Sequence, residues 1–485
     1  MTRMGPLLVG LFAACESVDE PVPELIPSAA STAGGGSGGA SGDSGGAATG
    51  SGGGSGAEDA ALGADQGAGG GEAGSSGTAG TDAGTDSSSE ASAGGAGGST
   101  GCSPPGGSGG TAFDSGGGAG GMTDAGKVGC LTQIALGGDH TCARRVDGTL
   151  WCWGSNQDGQ LGDGTTLDKH TPVQITALGS AVAEVRAGEH FTCARKLDGT
   201  VWCWGWNVAG QLGDGTTEDK HSPVQVKSLG DTDAIALGVH HACARKAQGT
   251  LWCWGQNLSG QVGDGTNTNK GTPVQVSALG TSVAEVSLGA LHSCARKADG
   301  TLWCWGANGE GQLGDGTSVD SMVPVPVTAF ATSCAEVSLG GDHSCARRTG
   351  GSIWCWGWNL RGQLGDCTTA SKSVPVQVVA VGSAVAEVAA GKFHGCARKT
   401  DGTLWCWGWN DSGQLGDGTT VQKNMPFQVV ALGGAVAGSE AGARHSCAFK
   451  ADATLWCWGG NDSGQLGDGT TTDKLVPVQI GVPCP

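Results

Sequence analysis

Cysteine is the residue with the most evident chemistry in this chain, because 14 of the 20 cysteines form seven pairs with a fixed spacing of ten residues. The pairs are Cys142 with Cys152, Cys193 with Cys203, Cys243 with Cys253, Cys294 with Cys304, Cys345 with Cys355, Cys396 with Cys406, and Cys447 with Cys457. Such pairs can form disulfides, remain buried thiols or bind a metal. Zinc-binding motifs place their cysteines about two to four residues apart, so a spacing of ten argues against a metal. The choice between disulfides and thiols depends on the compartment, because disulfides persist in oxidising surroundings.

A histidine two positions before the first cysteine of each pair is the second recurring reactive side chain. Unit two has Phe191 at this position, with His190 one step earlier, and the other six units have His140, His241, His292, His343, His394 and His445. Six symmetric imidazoles would suit a metal ring, and one structural histidine per unit is the alternative. Because Phe191 would break a ring, we expect neither a metal nor a cofactor.

The elements that must position these side chains follow from a repeat of Trp-Cys-Trp-Gly. This tetrapeptide opens at Trp151, Trp202, Trp252, Trp303, Trp354, Trp405 and Trp456, at intervals of 50 or 51 residues. A regular period of this length indicates a repeat architecture. Each unit has four short alternating segments separated by Gly, Asp, Asn and Pro, which is typical of strands and turns. The sequence therefore predicts an all-β fold, a seven-bladed β-propeller of about 51-residue four-stranded repeats.

The cysteine spacing also predicts a strand register. If Cys142 lies opposite Cys152, the hairpin loop is Val146-Asp147-Gly148, with glycine where a positive φ is needed. Directly opposed cysteines on antiparallel strands are close enough to bridge, so we predict one disulfide within each blade. In unit seven Ala453 replaces the glycine, which predicts mild strain. A proline such as Pro172 is expected to open the outer strand of each blade.

The units resemble the repeats of the regulator of chromosome condensation family. The matching elements are the histidine motif of residues 292–295, Trp305-Gly306 and the Asn308–Gly314 loop, and they recur over residues 131 to about 480. The resemblance implies a seven-bladed propeller with one hydrogen-bonded structural histidine per blade. Nucleotide exchange by one member of that family depends on an insertion, for which units of 50 or 51 residues leave no room. Other members use one face of the propeller to grip a protein.

The first quarter of the chain differs in composition from the repeats. Residues 7–14 form a short apolar stretch that Cys15 follows directly. The sequence Ala13-Ala14-Cys15 resembles a bacterial lipoprotein cleavage motif, although Phe12 stands where leucine is usual. We interpret residues 1–15 as a signal peptide with lipidation at Cys15; an ordinary signal peptide is the alternative. Residues 16–126 are interpreted as a disordered Gly/Ser/Ala-rich acidic linker, and residues 127–485 as the propeller.

Charge limits the class of partner. Residues 1–126 contain one basic and 14 acidic residues, and residues 127–485 contain 25 basic and 31 acidic residues. Neither part has a basic run, which argues against nucleic acid, because phosphate binding needs clustered positive charge. The only membrane contact that we expect is through the lipid anchor.

Candidate binding residues are those that differ between units on one face. In a four-stranded meander the first and third connections emerge on the same face, so the variable residues of both are expected there. The candidates are His190, His240, Leu291, Phe393 and Arg444 from the first connection, and Trp206, Trp358 and Trp409 from the third. Blade packing does not require the three tryptophans, because other units lack them. Exposed tryptophan commonly anchors protein interfaces, and covering of loop glycines is the alternative role.

These observations predict a monomeric binding protein of the cell envelope, an outer-membrane lipoprotein or a secreted protein, that holds a protein or glycan on one face of the propeller. An enzyme with its site in the propeller channel is the first alternative. It would require polar residues unique to one blade at channel-lining positions, and the repeats look too uniform for that. The second alternative is a structural surface spacer.

Ring closure generates the first testable prediction. Each unit has four strands of its own, so no shared strand joins the last blade to the first, and Cys130 and Cys484 flank the repeats. We predict a Cys130–Cys484 disulfide; Cys102 with Cys130 is the competing pair, and Cys334 and Cys367 also fall outside the repeating pairs. Cys484→Ser should lower the melting temperature under oxidising conditions only, since the lost crosslink contributes about 4–5 kcal/mol. A mapped Cys102–Cys130 peptide would exclude this clasp.

Overall fold

The computed structural model describes residues 131–483, which form seven four-stranded antiparallel sheets. In every sheet the strand order follows the chain, so each repeat builds one blade alone. The predicted seven-bladed β-propeller is therefore confirmed. The predicted signal peptide and linker, Cys15, Cys102, Cys130 and Cys484 lie outside the described residues.

The strands of the first four blades have the following bounds. Blade 1 contains β1 (Leu131–Leu136), β2 (His140–Arg145), β3 (Leu150–Gly154) and β4 (Lys169–Gln174). Blade 2 contains β5 (Val182–Ala187), β6 (Phe191–Lys196), β7 (Val201–Gly205) and β8 (Lys220–Gln225). Blade 3 contains β9 (Thr232–Leu237), β10 (His241–Lys246), β11 (Leu251–Gly255) and β12 (Lys270–Gln275). Blade 4 contains β13 (Val283–Leu288), β14 (His292–Lys297), β15 (Leu302–Gly306) and β16 (Ser321–Pro326).

The remaining three blades repeat this pattern. Blade 5 contains β17 (Cys334–Leu339), β18 (His343–Arg348), β19 (Ile353–Gly357) and β20 (Lys372–Gln377). Blade 6 contains β21 (Val385–Ala390), β22 (His394–Lys399), β23 (Leu404–Gly408) and β24 (Lys423–Gln428). Blade 7 contains β25 (Val436–Ala441), β26 (His445–Lys450), β27 (Leu455–Gly459) and β28 (Lys474–Ile480). Short 3₁₀ turns follow the outer strand at Thr176–Leu178, Ser277–Leu279, Thr328–Phe330, Val379–Val381 and Val430–Leu432.

The two middle strands of each blade have the predicted register, and the paired cysteines of all seven blades form the predicted disulfides. Cys142 lies opposite Cys152 on β2 and β3, and their Cα atoms are 4.1 Å apart. The Cα–Cα distances of the other six bridges are 4.0–4.1 Å. These six bridges join Cys193 with Cys203, Cys243 with Cys253, Cys294 with Cys304, Cys345 with Cys355, Cys396 with Cys406, and Cys447 with Cys457. All seven ten-residue pairs are therefore oxidised within their own blade.

The hairpin loop between the bridged strands has the predicted backbone geometry. Gly148 has a φ of 76° in this loop, and Ala453 adopts a φ of 63° at the equivalent position of blade 7. Since alanine rarely adopts a positive φ, blade 7 carries local backbone strain. Of the cysteines outside the repeating pairs, Cys334 is a buried free thiol and Cys367 is exposed.

The outer strand differs from the prediction at its first residues. Pro172 does not open β4, because the strand begins three residues earlier at Lys169. The register between β3 and β4 shifts between Cys152 and Gly154, which leaves the proline in an irregular stretch of an edge strand. Proline is tolerated there because its missing N–H would not have joined the ladder.

The second tryptophan of each Trp-Cys-Trp-Gly motif joins neighbouring blades. Trp204 is fully buried, and its indole nitrogen donates a hydrogen bond to the carbonyl of Gln160 in the preceding blade at 2.9 Å. A Cβ on Gly162 would lie 2.6 Å from the Trp204 indole nitrogen, so only glycine fits at this contact. The same bond is present at every joint, so these indoles form the core between blades.

The first tryptophan of the motif has a different environment. Trp151 and its equivalents are half-buried, and a basic side chain lies over each ring at 4.3–5.6 Å from the centroid. Examples are Lys246 over Trp252 and Arg348 over Trp354. The first tryptophan thus packs on the edge of the core and is covered by a cation–π contact, whereas the second is fully enclosed between blades.

The recurring histidines link neighbouring blades at five of the seven joints. His140 Nε2 lies 2.8 Å from the Thr192 hydroxyl, which itself donates to the Gln160 carbonyl at 2.8 Å. Because the hydroxyl proton is used in that bond, the imidazole must be the donor. Burial lowers the pKa of His140 to about 3, which keeps the ring neutral. The histidine is thus a structural hydrogen-bond donor, as the resemblance implied.

Two joints lack this hydrogen bond. Phe191 occupies the histidine position of blade 2, and Ala242 of blade 3 replaces the hydroxyl residue that it would face. His343 of blade 5 would face Gly395, and its Nε2 has no hydrogen-bond partner among the described residues. The first departure substitutes both partners together, whereas the second leaves a buried polar group unsatisfied.

Closure of the ring requires no special element. His445 Nε2 lies 2.9 Å from the Thr141 hydroxyl, and the Trp153 indole donates to the Gln465 carbonyl at 3.0 Å. The joint from blade 7 to blade 1 therefore has the same two contacts as the joints between blades 1 and 2, 3 and 4, 4 and 5, and 6 and 7. A disulfide between Cys130 and Cys484 would add to this joint and is not needed to create it. Among the 353 described residues there is no helix with the length and apolar character of a membrane span.

The matched pair in blades 2 and 3 generates the second prediction. Phe191→His should lower the free energy of unfolding by about 2–3 kcal/mol, because the new imidazole would face Ala242 without an acceptor. Ala242→Ser should lower the free energy of unfolding by about 1 kcal/mol. The double variant should be about 1 kcal/mol more stable than the sum of the two single effects, because the hydrogen bond is restored. Urea unfolding under non-reducing conditions measures all four proteins. Strict additivity of the two substitutions would contradict the proposed pairing.

Candidate functional site

The candidate site lies on the face formed by the first and third connections of the blades. We define the loop face as the three residues before strands β2, β6, β10, β14, β18, β22 and β26 together with the four residues after β3, β7, β11, β15, β19, β23 and β27. The two connections of a blade are held together by backbone hydrogen bonds, for example from Trp206 N–H to the His190 carbonyl at 3.0 Å. The variable residues of both connections are therefore neighbours.

A buried asparagine fixes the shape of each third connection. Asn207 Oδ1 accepts from the N–H of Leu212 at 2.9 Å, and its Nδ2 donates to the carbonyls of Thr216 and Glu218. Equivalent bonds form around the corresponding asparagine in the other six blades. Because this loop is held by its own interior, the residues beside the asparagine can vary without loss of its shape.

Three of the predicted site residues form one aromatic group, which we call the Trp206 cluster. Its members are His190, Trp206 and His240; the Trp206 ring centroid lies 4.7 Å from that of His240 and 6.4 Å from that of His190. The Asp158 carboxylate of blade 1 lies 3.5 Å from His190 Nδ1. Burial lowers the pKa of His240 to about 4, so this imidazole is neutral at physiological pH.

Three more predicted residues form a second group, the Phe393 cluster. The Phe393 ring centroid lies 5.3 Å from that of Trp358 and 5.6 Å from that of Trp409, both in edge-to-face geometry. Lys392 Nζ lies 5.7 Å from the Phe393 centroid. All three aromatic side chains are half-buried, so each presents part of its surface to solvent.

The other two predicted residues do not join these clusters. Leu291 is half-buried on the loop face and is not part of either aromatic group. Arg444 is hydrogen-bonded to Asp462 at 3.2 Å and to Ser412 at 3.0 Å. Three apolar side chains beside the loop asparagines are strongly exposed: Val208, Leu258 and Leu360 at 60%, 66% and 62%.

The central channel is less uniform than the sequence analysis assumed. The inner strands enclose a cavity of about 200 Å³, lined in part by four charged side chains at positions that are uncharged in most blades. Glu189 of blade 2 bonds Lys392 of blade 6 at 2.8 Å, and Glu440 of blade 7 lies 3.8 Å from Arg186 of blade 2. The expectation of a uniform channel lining was therefore wrong.

The sequence contained a signal for these four residues. Their positions hold Gly, Ala, Val or Ser in most other units, so a charged side chain there departs from the repeat. Glu189 and Lys392 each lie one residue before a predicted binding residue of the first connection, and Arg186 and Glu440 lie on inner strands, for which no site was predicted.

Most channel carboxylates have a partner that limits acid–base chemistry. Glu285, Glu336 and Glu387 each accept a bond of 2.8 Å from an arginine of the same blade. Burial raises the pKa of Glu336 to about 7, and the charge of Arg347 opposes this shift. Burial likewise raises the pKa of Glu440 to about 7 against the charge of Arg186. No group of three potential metal ligands occurs among residues 131–483.

Family models match most of the propeller. A model described as the regulator of chromosome condensation (RCC1) repeat matches residues 147–195 and 198–245, and a second model of the same description matches residues 131–160, 182–211 and 233–261. A model of the RCC1-like domain matches residues 267–484.

Similar proteins include plant and human sequences. The chain is 32% identical over 355 residues to the ultraviolet-B receptor UVR8 of Arabidopsis thaliana, an alignment that covers 72% of this chain and 70% of the receptor. It is 31% identical over 352 residues to the human E3 ubiquitin-protein ligase HERC2, an alignment that covers 69% of this chain and only 7% of the ligase.

Solved structures share the fold at lower identity. Yeast RCC1 (Prp20) bound to Kap60 superimposes with a TM-score of 0.62 at 19% identity, covering 73% of this chain and 85% of that chain. Human WBSCR16 has a TM-score of 0.63 at 22% identity, covering 69% of this chain and 95% of that chain.

The carboxylate of Glu440 generates the third prediction. Its pKa in the folded chain, about 7, exceeds the ordinary value of 4.5, so the folded state binds more protons between these pH values. The stability that depends on the proton is present below pH 4.5 and is lost as the pH rises through 7. When the pH is raised from 5 to 8, the free energy of unfolding of Glu440→Gln should therefore increase by about 1–2 kcal/mol relative to that of the parent.

The measurement is denaturant unfolding at both pH values with disulfides intact. Glu218→Gln is the matched control, since the Glu218 side chain is 81% exposed. Equal pH dependence in Glu440→Gln and the parent would contradict the assignment.

Proposed function

This chain belongs to the regulator of chromosome condensation (RCC1) repeat family, and from that premise we propose that it is a binding protein whose loop face holds a protein partner. The observation that carries the proposal is the grouping of six aromatic side chains into two clusters at positions that the repeat leaves free. Large aromatic side chains dominate the binding energy of protein interfaces. A solved relative, yeast RCC1, is described in complex with another protein, Kap60.

Exposed aliphatic side chains support a protein partner. Val208, Leu258 and Leu360 project from rigid loops on the same face as the aromatic clusters. Partly exposed apolar residues grouped on one surface mark interaction sites more often than isolated ones do. A glycan remains the other occupant to be tested, since tryptophan also stacks on sugar rings.

The channel supports binding over catalysis. Two ion pairs, Glu189–Lys392 and Arg186–Glu440, cross the space where a channel substrate would lie. The other channel glutamates are held by arginines. We therefore place the function on the loop face and assign no catalytic residue.

The seven disulfides suit an oxidising compartment outside the cytoplasm. Within the proposal, the chain is a cell-envelope lipoprotein anchored at Cys15, with residues 16–126 as the tether and the propeller as the binding head. Mass spectrometry of the mature N-terminus tests the anchor, and an unmodified N-terminus at another residue would remove it.

Site-specific photo-crosslinking gives the fourth prediction. A photoreactive amino acid replaces Leu258 or Leu360 in the full chain, and Leu197 in a control chain, which is then exposed to envelope extract of the source organism. Leu197 is a matched control because it is 73% exposed and lies in the hairpin loop between β6 and β7, at the opposite face. We expect a crosslinked protein from positions 258 and 360 only.

A second set of variants links the crosslink to the aromatic clusters. Adding Trp206→Ala, Trp358→Ala and Trp409→Ala should lower the crosslinked fraction at least tenfold, because the interface would lose its anchors. Equal crosslinking from position 197, or no effect of the three substitutions, would count against the proposal. A glycan in the crosslinked adduct would redirect it to the other class of partner.

A further inference from the structure

The loop face holds most of the excess negative charge of the propeller. It contains seven carboxylates and three basic side chains, for a net charge of −4, while residues 127–485 together have a net charge of −6. The acidic residues are Asp139, Asp158, Glu189, Glu310, Asp342, Asp411 and Asp462, and the basic ones are Arg361, Lys392 and Arg444. A surface of this sign favours a basic partner and disfavours an acidic one.

The same charge argues against two other occupants. Residues 1–126 of the chain contain one basic and 14 acidic residues, so the tether would be repelled from this face. Two copies of the chain that met through their loop faces would bring two net charges of −4 together. The favoured occupant is therefore a segment of another protein.

The two aromatic clusters differ in charge. Lys392 lies 5.7 Å from the Phe393 centroid, so a basic side chain of this protein already lies at the Phe393 cluster. The Trp206 cluster instead has the Asp158 carboxylate at 3.5 Å from His190, whereas Glu189, which precedes His190 in the chain, is already paired with Lys392 at 2.8 Å. His240 is neutral and does not repel a cation from Trp206.

Basic side chains over tryptophan are a repeated contact in this propeller. In each blade a lysine or arginine lies over the first tryptophan of the repeat, at 4.3 Å from the centroid in the closest pair, Arg348 and Trp354. At Trp206 the aromatic neighbours are two imidazoles, and the Asp158 carboxylate lies 3.5 Å from one of them. A cation placed at Trp206 would be attracted by the ring and, separately, by the charge of this carboxylate.

We propose that the partner inserts an arginine or lysine side chain at Trp206, beside the carboxylate of Asp158, while its apolar side chains contact the Phe393 cluster. This inference rests on the proposed function, because it names the chemistry of the protein that the loop face holds. It makes the Trp206 cluster the site of specificity and the Phe393 cluster the apolar anchor.

The test uses fluorine NMR of the full, disulfide-bonded chain labelled with 5-fluorotryptophan. The Trp206→Phe variant assigns the Trp206 signal. The probe is N-acetyl-arginine amide, and the neutral isostere N-acetyl-citrulline amide is the control. We expect a saturable shift of the Trp206 signal with the arginine probe, with an affinity at least threefold weaker for the citrulline probe and also weaker at high salt, since screening reduces exposed electrostatic attraction.

Two isosteric variants locate the effect. Asp158→Asn should weaken binding of the arginine probe at least threefold, whereas Asp411→Asn, at an exposed aspartate of blade 6 on the same face, should leave it unchanged. Equal affinity for both probes, or no effect of Asp158→Asn, would overturn the inference.

The outcomes separate this inference from the proposed function. A partner that crosslinks at positions 258 and 360, together with no response to the arginine probe, would retain the protein-binding function and reject the cationic contact. A response to the probe without a crosslinked protein would retain the cation site and reject the proposed partner.

Discussion

One backbone carbonyl in each blade supports the whole ring. The Gln160 carbonyl accepts the indole N–H of Trp204 and the hydroxyl of Thr192 from the next blade, and that hydroxyl accepts from His140. Four groups thus satisfy one another in a space that water does not reach, where an unsatisfied partner would cost about 1–3 kcal/mol. The tryptophan cannot move without breaking the network, so the angle between neighbouring blades is fixed. The disulfides strengthen each blade and do not set this angle.

The fold was predictable from sequence because it depends on signals that repeat. Seven copies of the cysteine spacing gave the hairpin register, and the Asp-Gly turns supported it independently. The position of Pro172 within β4 was missed, because the strand is lengthened by a register shift in its pairing with β3. Such a shift produces no periodic signal in the sequence. The different roles of Trp151 and Trp153 could not be predicted, since alternation along a strand does not reveal which of its residues a neighbouring blade will cover.

The site was predictable only in part, because its residues are defined by contact between units. Variation between repeats identified His190, Trp206 and Phe393, yet their grouping into two clusters depends on which blades are neighbours and on the distance between loops. The cross-channel pair of Glu189 and Lys392 is separated by 203 residues. No local pattern connects two such positions, although each departs from the consensus of the repeat. Sequence variation thus found candidate positions, and the ring geometry decided which of them meet.

The joint between blade 7 and blade 1 has a consequence for the history of the chain. Each blade is built from four consecutive strands, and His445 bonds Thr141 as His140 bonds Thr192. The ring could therefore begin at any blade without loss of a contact between blades. A gene opened at any of the connections between blades would encode the same set of joints. Exchange between misaligned copies of the repeat could therefore shift the order of the blades, and with it the arrangement of loop residues around the face, while the architecture stayed the same. New combinations of surface residues would arise by permutation of whole units as well as by point mutation.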